Sequence, residues 1–117
     1  MNDKITVYER PTCTKCRDMD RFLRNEGVDF SKVNYYIEPL TEKKLTDLIK
    51  KMKIKPREVL RKSESIYREL GLSKDEFTDE EIISLMVKHP DLMQRPIVER
   101  GNRAVLGRPT ENVKELL

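Results

Sequence analysis

The only two cysteines of this 117-residue sequence, Cys13 and Cys16, stand three positions apart in the run Arg10-Pro11-Thr12-Cys13-Thr14-Lys15-Cys16-Arg17. Two thiols at that spacing suit redox exchange. At a helix start they fall on nearly one face, so each sulfur can reach the other and form a disulfide. A structural staple explains the pair poorly, because closing so short a loop constrains the unfolded chain little. Zinc explains it poorly too. A structural site needs four ligands, and the chain offers one histidine, His89, far along the sequence and no second cysteine pair. No metal is expected.

The elements around the pair decide what it can do. Ile5-Thr6-Val7-Tyr8 alternates like a strand that stops before Pro11. Met19, Phe22 and Leu23 recur at helical spacing and Gly27 ends the pattern, which predicts a helix over 14–26 with Cys13 at its mouth. A second strand is expected over 30–37, with Val33, Tyr35 and Ile37 on one face, closed by Pro39. Leu45, Leu48, Ile49 and Met52 predict a helix over 41–53, capped by Thr41. Shorter helices are expected over 56–61 and 64–70, and a stronger one over 79–88 behind the capping box of Thr78 and Glu81. Pro96–Arg100 and Arg103–Leu106 read as a hairpin around Gly101-Asn102, and Thr110 opens a last amphipathic helix.

Strand-helix-strand, a run of helices, hairpin and helix is the chain order of an α/β fold. It corresponds to a thioredoxin-like, mixed four-stranded sheet within a single domain over 1–117, with 41–92 as a helical insertion. In that arrangement the first strand delivers Cys13 to the carboxyl edge of the sheet, where such sheets bind ligands. The helix start supplies free N–H groups and partial positive charge, which favour thiolate over thiol and attract oxyanions. Cys13 is therefore expected to be an exposed, acidic nucleophile. Cys16, a turn further in and more buried, is expected to resolve its adducts, and Arg17 adds positive charge nearby.

Composition narrows the setting. At 13.9 kDa, with 37% hydrophobic and 38% charged residues, the chain supports one small core. No apolar run approaches the roughly 18 residues of a membrane span and no cleavable leader follows Met1, so no membrane contact and a cytoplasmic location are expected. A net charge of +3 does not announce nucleic acid. Nine basic against three acidic residues over 41–62, then three against eight over 63–91, fit solvated helical faces of opposite sign. The four tyrosines are too scattered for a stacking platform, so no direct nucleic-acid binding is expected.

Beyond the cysteine loop, the segments Leu60-Arg61-Lys62, Tyr67-Arg68-Glu69-Leu70-Gly71-Leu72, Phe77-Thr78-Asp79, His89-Pro90, Arg95-Pro96-Ile97-Val98 and Gly107-Arg108-Pro109 together resemble the glutaredoxin-linked arsenate reductase family. That family shares its fold with the Spx transcription regulators. The resemblance implies that Cys13 faces an oxyanion clamp made by Arg61, Arg95 and Arg108, with a cis proline at Pro96. A permanently charged planar fork suits two oxygens of a tetrahedral oxyanion. The implied substrate is arsenate or a similar oxyanion. No bound cofactor is implied, and the external reductant is glutathione with glutaredoxin, or thioredoxin. The loop departs from the reductase pattern His-Asn-Pro-Ala-Cys-Gly-Thr-Ser-Arg: Glu9 replaces the histidine, Thr14 the glycine and Cys16 the serine. Thr14 and Cys16 make the loop Spx-like, so the alternative implied is a redox-sensing regulator that binds RNA polymerase.

Overall fold

The computed structural model describes residues 4–10, 12–74 and 76–117; the lead Met1–Asp3 and Pro11, both used in the sequence reading, lie outside the described residues, as does Asp75. The chain gathers into two compact units, one formed by Met1–Pro39 with Arg95–Leu117 and the other by Leu40–Gln94.

In the first unit, β1 (Ile5–Glu9), α1 (Thr14–Asn25) and β2 (Phe30–Asn34) make a strand-helix-strand crossover, and β3 (Ile97–Arg100) and β4 (Arg103–Leu106) add the hairpin. The sheet order is β2-β1-β3-β4, with β1 parallel to β2 and antiparallel to β3. This is the mixed sheet that the element order predicts. Side chains alternate across a strand, so Ile5 and Val7 share a face. That face packs with Val98, with Met19 and Leu23 of α1, and with Val113 and Leu116 of the closing 3-10 segment Thr110–Leu116. Burial of each such aliphatic side chain contributes about 1.5–3 kcal/mol. Glu9 prolongs the same row at the carboxyl end of β1. Tyr8 points to the other face, where its hydroxyl donates to Glu99 Oε1 at 2.7 Å.

Two elements of this unit differ from expectation. β2 stops at Asn34, short of Ile37, because Asn34 turns the chain. Its Oδ1 accepts from the Tyr36 N–H at 3.0 Å and its carbonyl from Ile37 and Glu38 at 3.0 and 2.9 Å. The turn buries Tyr35 and leaves Ile37 78% exposed, so the two do not share a strand face. The last segment opens at Thr110 as expected, but as a 3-10 helix, Thr110–Leu116, rather than an α-helix.

The second unit holds α2 (Glu42–Met52), α3 (Ser65–Glu69) and α4 (Asp79–Lys88). Thr41 Oγ1 accepts from the Lys44 N–H at 3.0 Å, and Thr78 and Glu81 exchange hydrogen bonds of 3.1 and 2.8 Å in a capping box. Leu45, Leu48 and Ile49 of α2 and Ile82, Ile83 and Met86 of α4 are buried. The expected helix over 56–61 is a 3-10 turn, Pro56–Val59. Among the described residues no helix is long and apolar enough to cross a membrane.

Candidate active site

Cys13 occupies the residue before α1, with extended dihedrals of φ −79° and ψ 127°, and no acidic residue sits in the first turn behind it. Its N–H donates to the Arg10 carbonyl and its carbonyl accepts from Arg17 N–H, both at 3.0 Å, which fixes the turn into the helix. Both cysteines are free thiols. Cys16 is 1% exposed, and Cys13 is 8% exposed rather than the open surface thiol that the sequence predicts. A ligand therefore meets a narrow approach to the sulfur.

Position and neighbours split the two thiols. Burial pushes the Cys13 thiol up, but hydrogen bonding from the Cys16 side chain, the backbone N–H groups of Cys16 and Lys15, and the Arg95 charge outweigh it. The net result lies below the ordinary thiol range. The side chain completes no formal cap on α1, so the helix start acts on the sulfur as directed N–H dipoles. Burial, the hydrogen bond to Cys13 and the negative charges of Cys13 and Glu9 push Cys16 up to about 12, against a smaller opposing contribution from the Arg10 backbone. The pair thus holds one acidic sulfur beside one that keeps its proton.

Arg95 is 5% exposed, and its Nε and Nη1 are buried with no hydrogen-bond partner among the described residues; the Tyr35 hydroxyl is in the same condition. Burial works against the guanidinium charge, and the neighbouring Tyr35, Tyr36 and Cys13 restore it, leaving Arg95 above its usual value. Tyr35 itself is driven well above the phenol range, first by burial. Arg108 supports this arginine directly: its Nε donates to the Arg95 carbonyl at 2.7 Å. Asn112 Nδ2 in turn donates to the carbonyls of Leu106 and Arg108 at 3.0 and 3.1 Å. The Arg95–Pro96 and Arg108–Pro109 peptide bonds are both cis. Between them, Gly107 is required by contact, since a Cβ there would lie 2.6 Å from Met19 Cε and 2.8 Å from Pro96 Cγ.

The sheet unit therefore assembles Cys13, Cys16, Arg95, Arg108 and Pro96. Arg61 belongs to the helical unit, where its N–H donates to the Leu92 carbonyl at 2.7 Å and its Nε lies 3.4 Å from Glu64 Oε1. Arg17 is exposed and lines a cleft with Glu9 and Cys16, on which Lys32 also opens. Two features escaped the sequence reading. Tyr35 and Tyr36 stack with ring centroids 5.1 Å apart, and the Arg10 guanidinium lies 5.2 Å over the Tyr36 ring. Glu9 is buried and faces Cys16 and Lys32. Extending the two-residue alternation of Ile5 and Val7 by one step would have found it. Among the described residues no three histidine, cysteine or carboxylate side chains form a metal-holding group.

The model of the ArsC family matches residues 8–116, which takes in both cysteines and all three arginines. The chain belongs to the ArsC family. Within it, the chain is 41% identical over 113 residues to the arsenate reductase of Escherichia coli strain K12, covering 97% of this chain and 80% of that one. It is 30% identical over 115 residues to an arsenate reductase of Neisseria meningitidis, covering 97% and 98%. A solved arsenate reductase from Vibrio cholerae superposes with a TM-score of 0.94 at 30% identity over the whole of both chains. These ArsC relatives give no support to the regulator reading.

Proposed function

We propose that this ArsC-family chain is a thiol-dependent arsenate reductase working in a reducing, cytoplasmic setting. The carrying observation is the unequal thiol pair set against a buried arginine with unengaged N–H groups. The Cys13 thiolate attacks arsenic(V): a sulfur–arsenic bond forms, the bond from arsenic to one hydroxyl breaks, and that hydroxyl takes up a solvent proton and leaves as water. Arg95 and Arg108, with Arg61 as the family resemblance implies, offset the oxyanion charge. Cys16 sulfur then bonds to Cys13 sulfur, and the breaking sulfur–arsenic bond leaves its electron pair on arsenic, which departs as arsenite. Thioredoxin, or glutathione with glutaredoxin, resets the disulfide.

The test is anaerobic arsenite formation, measured first with glutathione plus glutaredoxin and then with thioredoxin alone. Turnover is expected with at least one system, and Cys16→Ser is expected to lose turnover when thioredoxin is the sole reductant. Full turnover of that variant with thioredoxin alone would exclude the internal step. No arsenite with either system would exclude the enzyme.

A further inference from the structure

The two largest departures of the cysteine loop from the reductase pattern, Glu9 for histidine and Cys16 for serine, are neighbours in space. Ile5, Val7 and Glu9 form one row of β1, and α1 covers that row with its buried residues Cys16, Met19 and Leu23. Met19 and Leu23 meet the apolar part of the row. Glu9, at its carboxyl end and 6% exposed, lies under the first turn, where the buried residue is Cys16. Both line one cleft of about 430 Å³. Its charged rim comes from α1 as Arg17, Asp20, Arg21 and Arg24 and from β2 as Lys32, whose Nζ is 2.8 Å from Asp20 Oδ2. From β3, Val98 and Arg100 share the row's face beside Val7 and Ile5, and Arg100 Nη1 donates to the Leu116 carbonyl.

A carboxylate is a costly group to bury at the end of an apolar row. We propose that Glu9 is the proton acceptor that frees the Cys16 sulfur to attack Cys13. The proposal rests on Cys16 as the resolving thiol. Once Cys13 sulfur is bonded to arsenic, the Cys16 S–H passes its proton to a Glu9 carboxylate oxygen. The Cys16 sulfur forms the disulfide bond, the Cys13–arsenic bond breaks, and its electron pair reduces arsenic(V) to arsenic(III) as the two thiol sulfurs are oxidised. Acid–base strength moves the right way on both sides. Burial makes Glu9 a stronger base than an exposed carboxylate, with Asp20 adding to this and Lys32 opposing it. The Cys13 thiolate, whose charge and hydrogen bond hold the Cys16 proton in place, ceases to be an anion when the adduct forms. Cys16 is thereby kept protonated until Cys13 is engaged. Lys32 and the open cleft give the proton a route from Glu9 to water.

An arsenic-free experiment isolates the step. An aromatic disulfide reagent that releases a coloured thiol is mixed with the reduced protein in a stopped-flow instrument. The first equivalent reports mixed-disulfide formation at Cys13, and the second reports attack by Cys16. In the wild type the second phase is expected to be nearly flat in rate between about pH 6.5 and 8.5, because proton transfer from Cys16 to an ionised Glu9 involves no solvent proton. In Glu9→Gln it is expected to slow about a hundredfold at neutral pH and to rise roughly tenfold per pH unit, the signature of a thiol that must ionise into water. A purely structural role for Glu9 would not change that slope. The wild-type profile alone keeps the proposal falsifiable if the variant folds poorly: a wild-type second phase climbing about tenfold per unit across this range overturns it. A wild type that releases only one equivalent sinks internal exchange and Glu9's role with it. Two equivalents with an unchanged profile in Glu9→Gln sinks Glu9 alone and leaves the resolving thiol standing.

Discussion

The sheet unit and the helical unit spend their polar groups differently. The buried charged side chains of the described residues, Glu9, Arg95 and Glu99, all belong to the sheet unit, and one of them keeps two buried nitrogens, Arg95 Nε and Nη1, without a hydrogen-bond partner among those residues. In the helical unit the buried residues are apolar or aromatic, and polar ones serve as caps, surface ion pairs or tethers to backbone carbonyls, as in Thr41, the Thr78–Glu81 box, Lys51 with Asp47 at 3.2 Å and Arg57 on the Leu72 carbonyl at 2.7 Å. Each unsatisfied buried donor costs about 1–3 kcal/mol. Such a cost fits the chemistry proposed for Cys13, Cys16 and Arg95, whereas the helical unit is conventionally stabilised.

The contrast can be broken by substitution. Arg95→Met is expected to lower kcat/KM for arsenate about a thousandfold, in line with the loss of a preorganised oxyanion donor. The same change is expected to hold or raise the thermal midpoint, since it removes a buried and under-paired charge. A clear loss of stability in that variant would mean that Arg95 is a structural strut. In the helical unit the opposite sign is expected. Leu48→Ala, at a position 0% exposed, should cost about 2–5 kcal/mol in urea unfolding while turnover per folded molecule is kept.

Titration sharpens the same comparison on a smaller scale. Cys13 has a depressed pKa, so its alkylation by iodoacetamide should rise with pH and level off below the range of an ordinary thiol, while Cys16 stays protonated and slow. Cys16→Ala removes the hydrogen bond from its side chain, so the Cys13 profile should move to higher pH. An unmoved midpoint would assign the acidity to Arg95 and the helix start alone. The smallest effect is expected at Thr78→Ala, where loss of the cap should cost about 1 kcal/mol in unfolding and leave arsenite formation unchanged.

Much of this division was legible in the sequence. Cys13 and Cys16 announce themselves by type and spacing, and the capping residues Thr41 and Thr78 by chemistry that acts within four residues. The end of β2 was not legible, because Val33, Tyr35 and Ile37 carry a perfect alternation that the Asn34 side chain overrides by turning the backbone. Tertiary facts were harder still. Nothing within the local pattern of Arg95 tells that it is buried while Arg17 is exposed, since burial depends on what the sheet and Tyr35 place around it. Three of the eleven arginines were singled out through the family resemblance, not through their own surroundings.

The confinement of Arg95 beside Cys13 has an electrochemical consequence. With the sulfur reduced, the guanidinium has an anionic neighbour; once the sulfur is tied up in a disulfide, that counter-ion is lost while the cation, which cannot deprotonate, remains. The oxidised protein should therefore hold dissolved anions more tightly than the reduced one. By linkage, those same anions should make the disulfide harder to reduce.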